Sequence, residues 1–472
     1  MSPDPRAVPS EGREQGMFHA ATSSSRPAPR PRWRQLAPAL QGRLATLVTA
    51  ISAFAAVGAS VVADGAGVVA QPLRLEMLPE DLAADRGARC LDHSPAGYYI
   101  REQDPKKWVV FLEGGGLCFE TIDCIYRAAR SARGSSKFWA PDTTPENNHM
   151  LTAASDLNPF ANWSHVYVPY CSGDTWLGNS KGGHIALLGL QMSGHLILET
   201  VMERLANRTT IGKATDVMFG GTSAGGIGAF HHADWFVDKM RAIADSSGSP
   251  QPRVAVMPVE GIFFPQKFPV LYPEFVLGIR KAADGVASRY VIGLFGPVWL
   301  HEGCVTASQA QGFPPESCFD VSFMAKFIKA RILVMSNVFD KLMIHDLGIC
   351  LGCSANSFAG SPSGRYVRFF GSLMRETLED MQKSAADLSV FATSEYHHDE
   401  NWVDIFRTRE KCVGGESLKE AINRWYWGGD SIALVEPGCG EASDGPCDSD
   451  ASSSSRACRL RGNGARDDPL FA

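Results

Sequence analysis

The sequence has little excess charge of either sign. Its 472 residues contain 45 Lys and Arg against 51 Asp and Glu, which gives a net charge of −6. A strongly basic surface is therefore absent, and nucleic acid is excluded as the main partner. Charged residues make up only 20% of the chain and apolar residues 44%, so the chain can bury a large core and is not disordered as a whole.

Signatures of several cofactor sites are also missing. The glycines at 114–116 are not followed by Lys and Ser or Thr, which excludes a nucleotide-binding P-loop there. No G-x-G-x-x-G opens a helix at the same place, so a dinucleotide site is not indicated. Cys350 and Cys353 form a C-x-x-C pair, but no second pair follows at the spacing of a zinc site. We therefore expect neither a cofactor nor a metal ion.

Cysteine, by contrast, is plentiful. The even number and wide spread favour a secreted protein with disulfides over a reduced cytosolic one. In an oxidising compartment, disulfides are also a better interpretation of Cys350 and Cys353 than metal or redox chemistry, although the sequence does not settle their partners. Glycosylation sequons at Asn162 and Asn207 are compatible with that compartment. The 12 cysteines lie at positions 90, 118, 124, 171, 304, 318, 350, 353, 412, 439, 447 and 458.

The two ends of the chain differ from its middle. Residues 1–43 are rich in Pro, Arg and Ser and are predicted to be disordered. Residues 44–63 carry no charge and, as a helix of about 30 Å, could cross a bilayer; the arginines before them place the N-terminus in the cytosol. The segment 44–70 is either a signal peptide or an uncleaved signal-anchor, and both send the rest of the chain to the lumen or outside. Residues 441–472 are of low complexity and are expected to be mobile, which leaves 72–440 as the folded body.

The folded body alternates short apolar runs with longer amphipathic stretches. Runs of this length that are rich in Val, Ile and Phe suit buried strands, whereas residues 185–205 and 370–388 have helical spacing. The alternation predicts a mostly parallel sheet covered by helices on both faces, with its chemistry at the carboxyl ends of the strands. The predicted strands are residues 108–112, 165–170, 215–219, 254–258, 331–335 and 388–392.

The strongest local signal for chemistry is Gly-Thr-Ser-Ala-Gly at 221–225, directly after a predicted strand. G-x-S-x-G between a strand and a helix presents a nucleophilic serine on a sharp turn. We therefore predict Ser223 as a nucleophile. The helix after it directs its N-terminus at the site, so the N–H of Ala224 is a candidate oxyanion donor. The alternative is a tight turn with a purely structural role.

A second glycine cluster supports this interpretation. Glu113 and three glycines follow the strand at 108–112. Consecutive glycines after an early strand can direct bare N–H groups at one oxygen, as the HGGG loops of esterases do. Gly115 and Gly116 are therefore predicted oxyanion donors, with an ordinary glycine-rich turn as the alternative.

The serine needs a base, and the base needs an acid that orients it. Asp340 follows the strand at 331–335, where an acid is expected, although it could instead cap the next helix. His397 and His398 follow the strand at 388–392, and spacing alone does not decide between them. Acidic residues beside these histidines could suggest a metal site, but adjacent residues chelate one ion poorly. His231 and His232, just after the nucleophile, are interpreted as packing and hydrogen bonding within their helix.

Several of these segments resemble the pectin acetylesterase family, which includes animal Wnt deacylases of the Notum type. The resemblance covers about residues 85–430, and its clearest segments are EGGGLC at 113–118, GTSAGG at 221–226 and HHADWF at 231–236. It implies an α/β-hydrolase type of fold with a Ser-Asp-His triad. Matched by motif, Ser223 is the nucleophile, Asp340 the acid and His398, seven residues after Phe391, the base.

The resemblance also implies three disulfides, and at some positions this sequence differs from the family pattern. The implied pairs are Cys118–Cys124, Cys90–Cys171 and Cys304–Cys318. Leu117 stands where the family usually has Trp, residues 259–265 lack both aspartates of a family segment, and Glu395 or a neighbour replaces a family cysteine. These departures concern the acyl pocket and the substrate, and they do not touch the triad.

The combined prediction is a serine carboxylesterase that is secreted or held in the membrane by residues 44–63. The preferred substrate is an O-acetylated polysaccharide, and the alternative is a fatty acyl ester on a Ser of a lipidated protein. A third possibility, of another class, is an inactive binding protein on an esterase fold. Phe263, Phe264 and Phe295 could line a long apolar acyl cleft, or they could simply be core residues.

Overall fold

The computed structural model describes most of the predicted folded body. It describes residues 72–118, 121–143, 149–152, 156–183, 188–263, 293, 296–347, 350, 352–357, 359–407, 410–439 and 444–447. The predicted disordered segment 1–43 and the predicted signal or anchor segment 44–70 lie outside these residues. Among the described residues, no helix combines the length and apolar character that a membrane crossing requires.

The described strands form one ten-stranded sheet and a two-stranded ribbon. The large sheet has the order β12-β9-β8-β7-β6-β3-β5-β2-β1-β4. Neighbours from β12 to β5 pair in parallel, and the pairs β5–β2, β2–β1 and β1–β4 are antiparallel. The strands are β1 (Leu73–Met77), β2 (Gly97–Arg101), β3 (Lys107–Leu112), β4 (Asp142–Thr143), β5 (Ser164–Val168), β6 (Asp216–Thr222), β7 (Arg253–Val259), β8 (Ile332–Asn337), β9 (Leu388–Thr393), β10 (Cys412–Val413), β11 (Glu416–Ser417) and β12 (Ala433–Val435).

All six predicted strands are confirmed, and they form the parallel centre of the sheet as β3, β5, β6, β7, β8 and β9. Both faces of these strands are buried. In β3, Trp108 and Val110 pack in one hydrophobic cluster, whereas Val109 and Phe111 pack in another on the opposite face. Because both faces are covered, the strands read as continuous apolar runs rather than as alternating patterns.

Helices cover the two faces. The first cluster takes in α3, α4, α5 and α8, and the second takes in α9 and α10 with residues from 150–163. The described α-helices are α1 (Glu80–Arg86), α2 (Thr121–Arg130), α3 (Gly194–Arg208), α4 (Ala224–His231), α5 (Ala233–Ser246), α6 (Glu302–Ala310), α7 (Val321–Met324), α8 (Pro362–Ser384), α9 (Glu400–Arg407) and α10 (Leu418–Tyr426).

The two predicted helices differ from the structure at their ends. The helix predicted over 185–205 begins only at Gly194, because Gln191 and Ser193 hydrogen-bond to the backbone of Gly87 and Arg89 and hold the preceding residues outside the helix. The helix predicted over 370–388 begins earlier, at Pro362. There Ser361 accepts the N–H of Gly364, and a proline at the first helical position is favourable.

The fold extends past residue 440, where the sequence predicted that it would end. Cys447 is disulfide-bonded to Cys439, and its N–H donates to the carbonyl of Ser394 at 2.6 Å. Arg368 on α8 binds the carboxylate of Asp444 at 2.8 Å. Residues 444–447 are therefore held against the sheet, which a low-complexity composition does not reveal.

Disulfides pin several loops of the body. The structure has all three pairs that the family resemblance implies, Cys90–Cys171, Cys118–Cys124 and Cys304–Cys318. It also pairs Cys350 with Cys353, a pairing that the sequence left open. Every described cysteine is in a disulfide.

Candidate active site

Ser223 is the single residue between the end of β6 and the start of α4, on a sharp turn at the carboxyl edge of the sheet. Its φ of 55° lies in the left-handed region, which is strained for a residue with a side chain and is typical of functional turns. The flanking glycines are required sterically. A Cβ on Gly221 would lie 2.3 Å from the carbonyl oxygen of Gly225, and a Cβ on Gly225 would lie 2.2 Å from that of Leu112.

Two further side chains from neighbouring strand ends complete a hydrogen-bonded chain. His398 Nε2 lies 2.9 Å from Ser223 Oγ, and His398 Nδ1 lies 2.8 Å from Asp340 Oδ2. Since a carboxylate can only accept, Nδ1 carries the ring proton and Nε2 presents its lone pair to the serine hydroxyl. Ser223 and Asp340 are buried, and the His398 side chain is 12% exposed. This is the geometry of a nucleophile, a base and an orienting acid.

The structure distinguishes between the two adjacent histidines. His398 contacts Ser223, whereas the backbone carbonyl of His397 accepts hydrogen bonds from the N–H of Lys341 and the side chain of Asn337. Asp399, which follows, has a φ of 60°. The chain therefore turns sharply directly after His398, in the loop that brings this histidine to Ser223.

Asp340 makes the contacts of both roles that its sequence position suggested. Its Oδ2 accepts from His398, and its Oδ1 accepts the backbone N–H of Met343 at 3.0 Å. The bond to Met343 fixes the carboxylate at the start of the turn that follows β8. The same interaction that looked like an ordinary cap thus orients the acid toward the imidazole.

The glycine loop after β3 lies directly beside the nucleophile. A Cβ on Gly114 would come within 2.6 Å of the Thr222 carbonyl oxygen and 3.0 Å of the Ser223 Cβ. Gly116 has a φ of 68°, which favours glycine. The predicted oxyanion donors Gly115, Gly116 and Ala224 therefore come from two segments that meet at Ser223.

Polar contacts on both sides fix this loop. Arg127 on α2 donates to the carbonyl of Gly115 at 2.7 Å and is itself held by Asp123 at 2.9 Å. Glu113 accepts the backbone N–H of Tyr170 at 2.7 Å, and its carbonyl accepts the indole N–H of Trp176 at 3.0 Å. Burial raises the pKa of the Glu113 carboxyl. These four contacts hold the loop in place.

His231 and His232 do not reach the site. Both are fully buried, and burial lowers the pKa of His231 to about 3 and that of His232 well below its ordinary value, so both stay neutral. His232 Nδ1 bonds to the Gly228 carbonyl within the same helix at 2.8 Å, and its ring stacks on Trp299. His231 Nε2 instead contacts the carbonyl of Phe319, outside the helix.

Glu260 is a member of this site that the sequence did not identify. It follows β7, is 1% exposed, and has a left-handed φ of 49°. Its Oε1 accepts the backbone N–H of Asn337 and the indole N–H of Trp402, each at 2.7 Å. Burial and, next, the charge of Asp340 raise the pKa of Glu260 well above its ordinary value. The available signal was an acidic residue at the carboxyl end of a central strand, in a segment that departs from the family pattern.

Among the described residues, one cluster has the composition of a metal site, and it is the acid end of this same site. Possible ligand atoms of Glu260, Asp340 and His398 lie within 4.8 Å of one another. The His398 nitrogens, both Asp340 oxygens and Glu260 Oε1 already have protein partners. This arrangement suits a chain of hydrogen bonds better than a coordination shell, which would have to displace them.

The predicted acyl-pocket residues are only partly described. Phe263 is buried with its ring 5.7 Å from the His398 ring, edge to face. Phe264 and Phe295 lie outside the described residues. Leu117, which replaces a family Trp, is partly buried and packs against the cluster around the Cys118–Cys124 disulfide.

Comparison with known proteins agrees with this geometry. The family model described as Pectinacetylesterase matches residues 71–448. The chain belongs to the pectinacetylesterase family. The resemblance seen in the motifs is therefore confirmed, and the family match ends one residue after the disulfide-held segment 444–447.

Several curated proteins are similar to this pectinacetylesterase chain. Palmitoleoyl-protein carboxylesterase notum1a of Danio rerio is 28% identical over 347 residues, 71% of this chain and 63% of that protein. The notum1' enzyme of Xenopus laevis is 33% identical over 349 residues, 72% of this chain and 65% of that protein. Pectin acetylesterase 5 of Arabidopsis thaliana is 32% identical over 163 residues, 34% of this chain and 37% of that protein. The chain thus spans less than two thirds of the length of the first Notum relatives it matches.

A solved structure confirms the fold. The Wnt deacylase Notum from Drosophila superposes with a TM-score of 0.59 at 23% identity, covering 78% of this chain and 96% of that one. The pectinacetylesterase chain therefore has the α/β-hydrolase type of fold that the sequence predicted.

Proposed function

We propose that this chain is a serine carboxylesterase that hydrolyses O-acyl esters. The observation that carries the proposal is the continuous hydrogen-bonded chain from Ser223 through His398 to Asp340, beside a preformed glycine loop. The family match and the names of the curated relatives, all esterases, agree with it.

The geometry supports a two-step mechanism. Ser223 Oγ attacks the ester carbonyl while His398 Nε2 takes the hydroxyl proton, and Asp340 stabilises the resulting imidazolium. His398 returns that proton to the leaving alcohol, which leaves an acyl group on Ser223. A water molecule then attacks the acyl-enzyme with His398 as the base, releasing the carboxylic acid and the free serine. The N–H groups of Gly115, Gly116 and Ala224 hold the oxyanion in both steps.

For the substrate, we propose the O-acetyl groups of a polysaccharide. The family match supports this choice, and so does the charge beside the loop. Arg133 is exposed, and its Cδ lies 3.0 Å from the position that a Cβ on Gly115 would occupy. An exposed cation at that place suits an acidic polysaccharide chain better than a hydrocarbon chain.

A second candidate is the removal of a fatty acyl ester from a Ser of a lipidated protein. The observation that favours it is coverage. Relatives named palmitoleoyl-protein carboxylesterases match over as much as 75% of this chain, whereas the Arabidopsis pectin acetylesterase matches over 34%. The two candidates differ in the acyl pocket, which must be small for acetyl and long and apolar for a fatty acid.

Hydrolysis of p-nitrophenyl esters from acetyl to palmitoyl separates these candidates. The full chain is made in an oxidising host, with Ser223→Ala as the blank. A Ser223-dependent rate that is highest at acetyl and collapses by octanoyl supports the polysaccharide substrate. A rate that holds or rises through octanoyl supports the fatty acyl substrate. A well-folded protein without any Ser223-dependent rate would instead indicate an inactive binding protein.

We also propose that the protein enters the secretory pathway and acts outside the cell, with residues 44–70 as its signal peptide or its anchor. The disulfides support an oxidising compartment. Asn162 and Asn207 are both exposed and so are accessible for glycosylation. Endoglycosidase treatment of the protein from a eukaryotic host, and sequencing of its N-terminus, test the pathway and the cleavage.

A further inference from the structure

Glu260 occupies a strained and fully enclosed position next to the acid of the triad. It combines 1% exposure with a left-handed φ of 49°, a conformation that is strained for a non-glycine residue. Its backbone N–H bonds to the carbonyl of Met335 on β8, which fixes the residue between two central strands. Strain of this kind persists when the surrounding structure demands a particular side-chain placement.

The contacts of the two carboxyl oxygens differ. Oε1 accepts from Asn337 N–H and from Trp402 Nε1, so its acceptor capacity is filled. Oε2 is buried, and no donor reaches it among the described residues. The Asp340 carboxyl lies beside it, with an oxygen of each side chain within 4.8 Å of the other.

Two ionised carboxylates could not form that contact favourably, because both would be acceptors of like charge. One proton shared between the two carboxyls removes this repulsion. If Glu260 Oε2 carries the proton, it donates a hydrogen bond to Asp340, which stays ionised and accepts from His398. Burial and, next, the neighbouring Asp340 charge both raise the pKa of Glu260 well above its ordinary value, which favours its protonated form.

We propose that Glu260 is a positioning residue: a neutral carboxylic acid that donates a hydrogen bond from Oε2 to Asp340 and extends the triad to Glu260–Asp340–His398–Ser223. The inference rests on the proposed esterase function. It assigns Glu260 a role through Asp340 and no contact with the substrate.

A buried polar network supports the donors that hold Glu260. The side chain of Asn337 exchanges hydrogen bonds with Asn401 at 3.0 Å, and Asn401 donates to Glu395 at 2.8 Å. Glu395 in turn pairs with buried Lys411 at 3.3 Å. Glu260 and Glu395 both lie in segments where the sequence departs from its family, so the two departures belong to one network.

Other titratable groups also surround Glu260. A ring nitrogen of His398 lies within 4.8 Å of the Glu260 carboxyl, and His398 Nδ1 is bonded to Asp340. The Glu395 carboxylate accepts from Asn401 and pairs with Lys411. Asp399 accepts from Thr222 at 3.4 Å on the neighbouring strand end. Among the described residues, Asp340 and His398 thus cluster with Glu260, and the ionisation of Glu260 beside the Asp340 charge should dominate its pH effect.

Two variants of the full chain test the proposal. Glu260→Gln reproduces the neutral acid, because its carbonyl can accept from Asn337 and Trp402 while its NH₂ donates to Asp340. It should keep kcat within about 3-fold of wild type near neutral pH, and it should lack any basic limb in kcat/KM that comes from ionisation of Glu260. Glu260→Leu removes the donor and should lower kcat by about 10-fold or more with little change in KM.

Infrared spectroscopy gives a readout that does not need activity. The wild-type minus Glu260→Gln difference spectrum at neutral pH should contain a protonated-carboxyl band, which shifts in D₂O. Absence of that band would overturn the proposal, and so would equal losses of kcat in the Gln and Leu variants or full activity in Glu260→Leu. If Glu260→Leu does not fold, the infrared band and the kinetics of Glu260→Gln still test the proposal. A wild-type protein without hydrolysis but with the band would refute the esterase function and leave the Glu260 proton established.

Discussion

His398 Nε2 lies 2.9 Å from Ser223 Oγ, although 175 residues separate the two in the chain. The contact exists because β6 and β9 both end at the carboxyl edge of one parallel sheet, with β7 and β8 between them. A residue of the site follows each of these four strands: Ser223 and Glu260 come directly after β6 and β7, and Asp340 and His398 lie in the loops after β8 and β9. The sheet thus gathers a serine, a histidine and two carboxyls that are far apart in sequence.

The two adjacent histidines offer a matched test of that contact. His398→Ala should lower kcat for p-nitrophenyl acetate by about 10³-fold or more, because the serine loses its base. His397→Ala, the control, should keep most of the activity, since its imidazole does not bond Ser223. Comparable losses in both variants, with both proteins folded, would contradict the assignment of the base.

Arg127 provides a test of the glycine loop. Arg127→Met should lower kcat by about 10-fold with a smaller effect on KM, because the guanidinium no longer holds the Gly115 carbonyl and the oxyanion donors lose their alignment. Arg130 lies on the same helix but is exposed, so Arg130→Met is the matched control and should behave as wild type. Equal kinetics for the two variants would show that the loop does not depend on Arg127.

The fold was largely predictable from local patterns, whereas the site was predictable only in part. The six central strands can be identified in the sequence as apolar runs, because both faces of the sheet are covered. Ser223 can be identified because its turn requires flanking glycines. The choice between His397 and His398 depends on a turn at Asp399 that spacing does not encode. The sequence did not identify Glu260 as a site residue, because its partners Asn337 and Trp402 come from other elements. Its contacts form only when the sheet is assembled.

The raised pKa of Glu260 makes a prediction about stability. In the unfolded chain a Glu ionises near pH 4.3, whereas folded Glu260 holds its proton to a higher pH. The stability that the bound proton supplies is complete below the unfolded pKa and is lost as pH rises toward the folded pKa. Glu260→Gln should therefore gain stability relative to wild type above about pH 4.3, by about 1.4 kcal/mol per pH unit until the folded pKa is passed.

Urea denaturation at several values of pH between 4 and 8 measures this difference. The exposed Glu410 serves as the control, and the stability difference between Glu410→Gln and wild type should stay nearly flat over the same range. A flat difference for Glu260→Gln as well would mean that Glu260 titrates alike in the folded and unfolded chains.

Lys411 tests the network behind the acid. It is 3% exposed and pairs with Glu395 and Glu436, so Lys411→Met leaves a buried carboxylate without its cation. The free energy of unfolding should fall by about 3–5 kcal/mol. Adding Glu395→Gln should restore part of the loss, and the exposed Lys419→Met should change stability little. A single Lys411→Met variant as stable as wild type would show that the charges are not coupled.

Reaction of the full, folded protein with a fluorophosphonate probe, followed by mass spectrometry of its peptides, tests the esterase proposal most directly. The phosphorus centre is attacked by an activated serine and not by an ordinary one. We expect a single adduct on Ser223, greatly slowed in His398→Ala and accompanied by loss of ester hydrolysis. A folded wild-type protein that carries no adduct on Ser223, or whose hydrolysis survives complete labelling of that residue, would contradict the proposal.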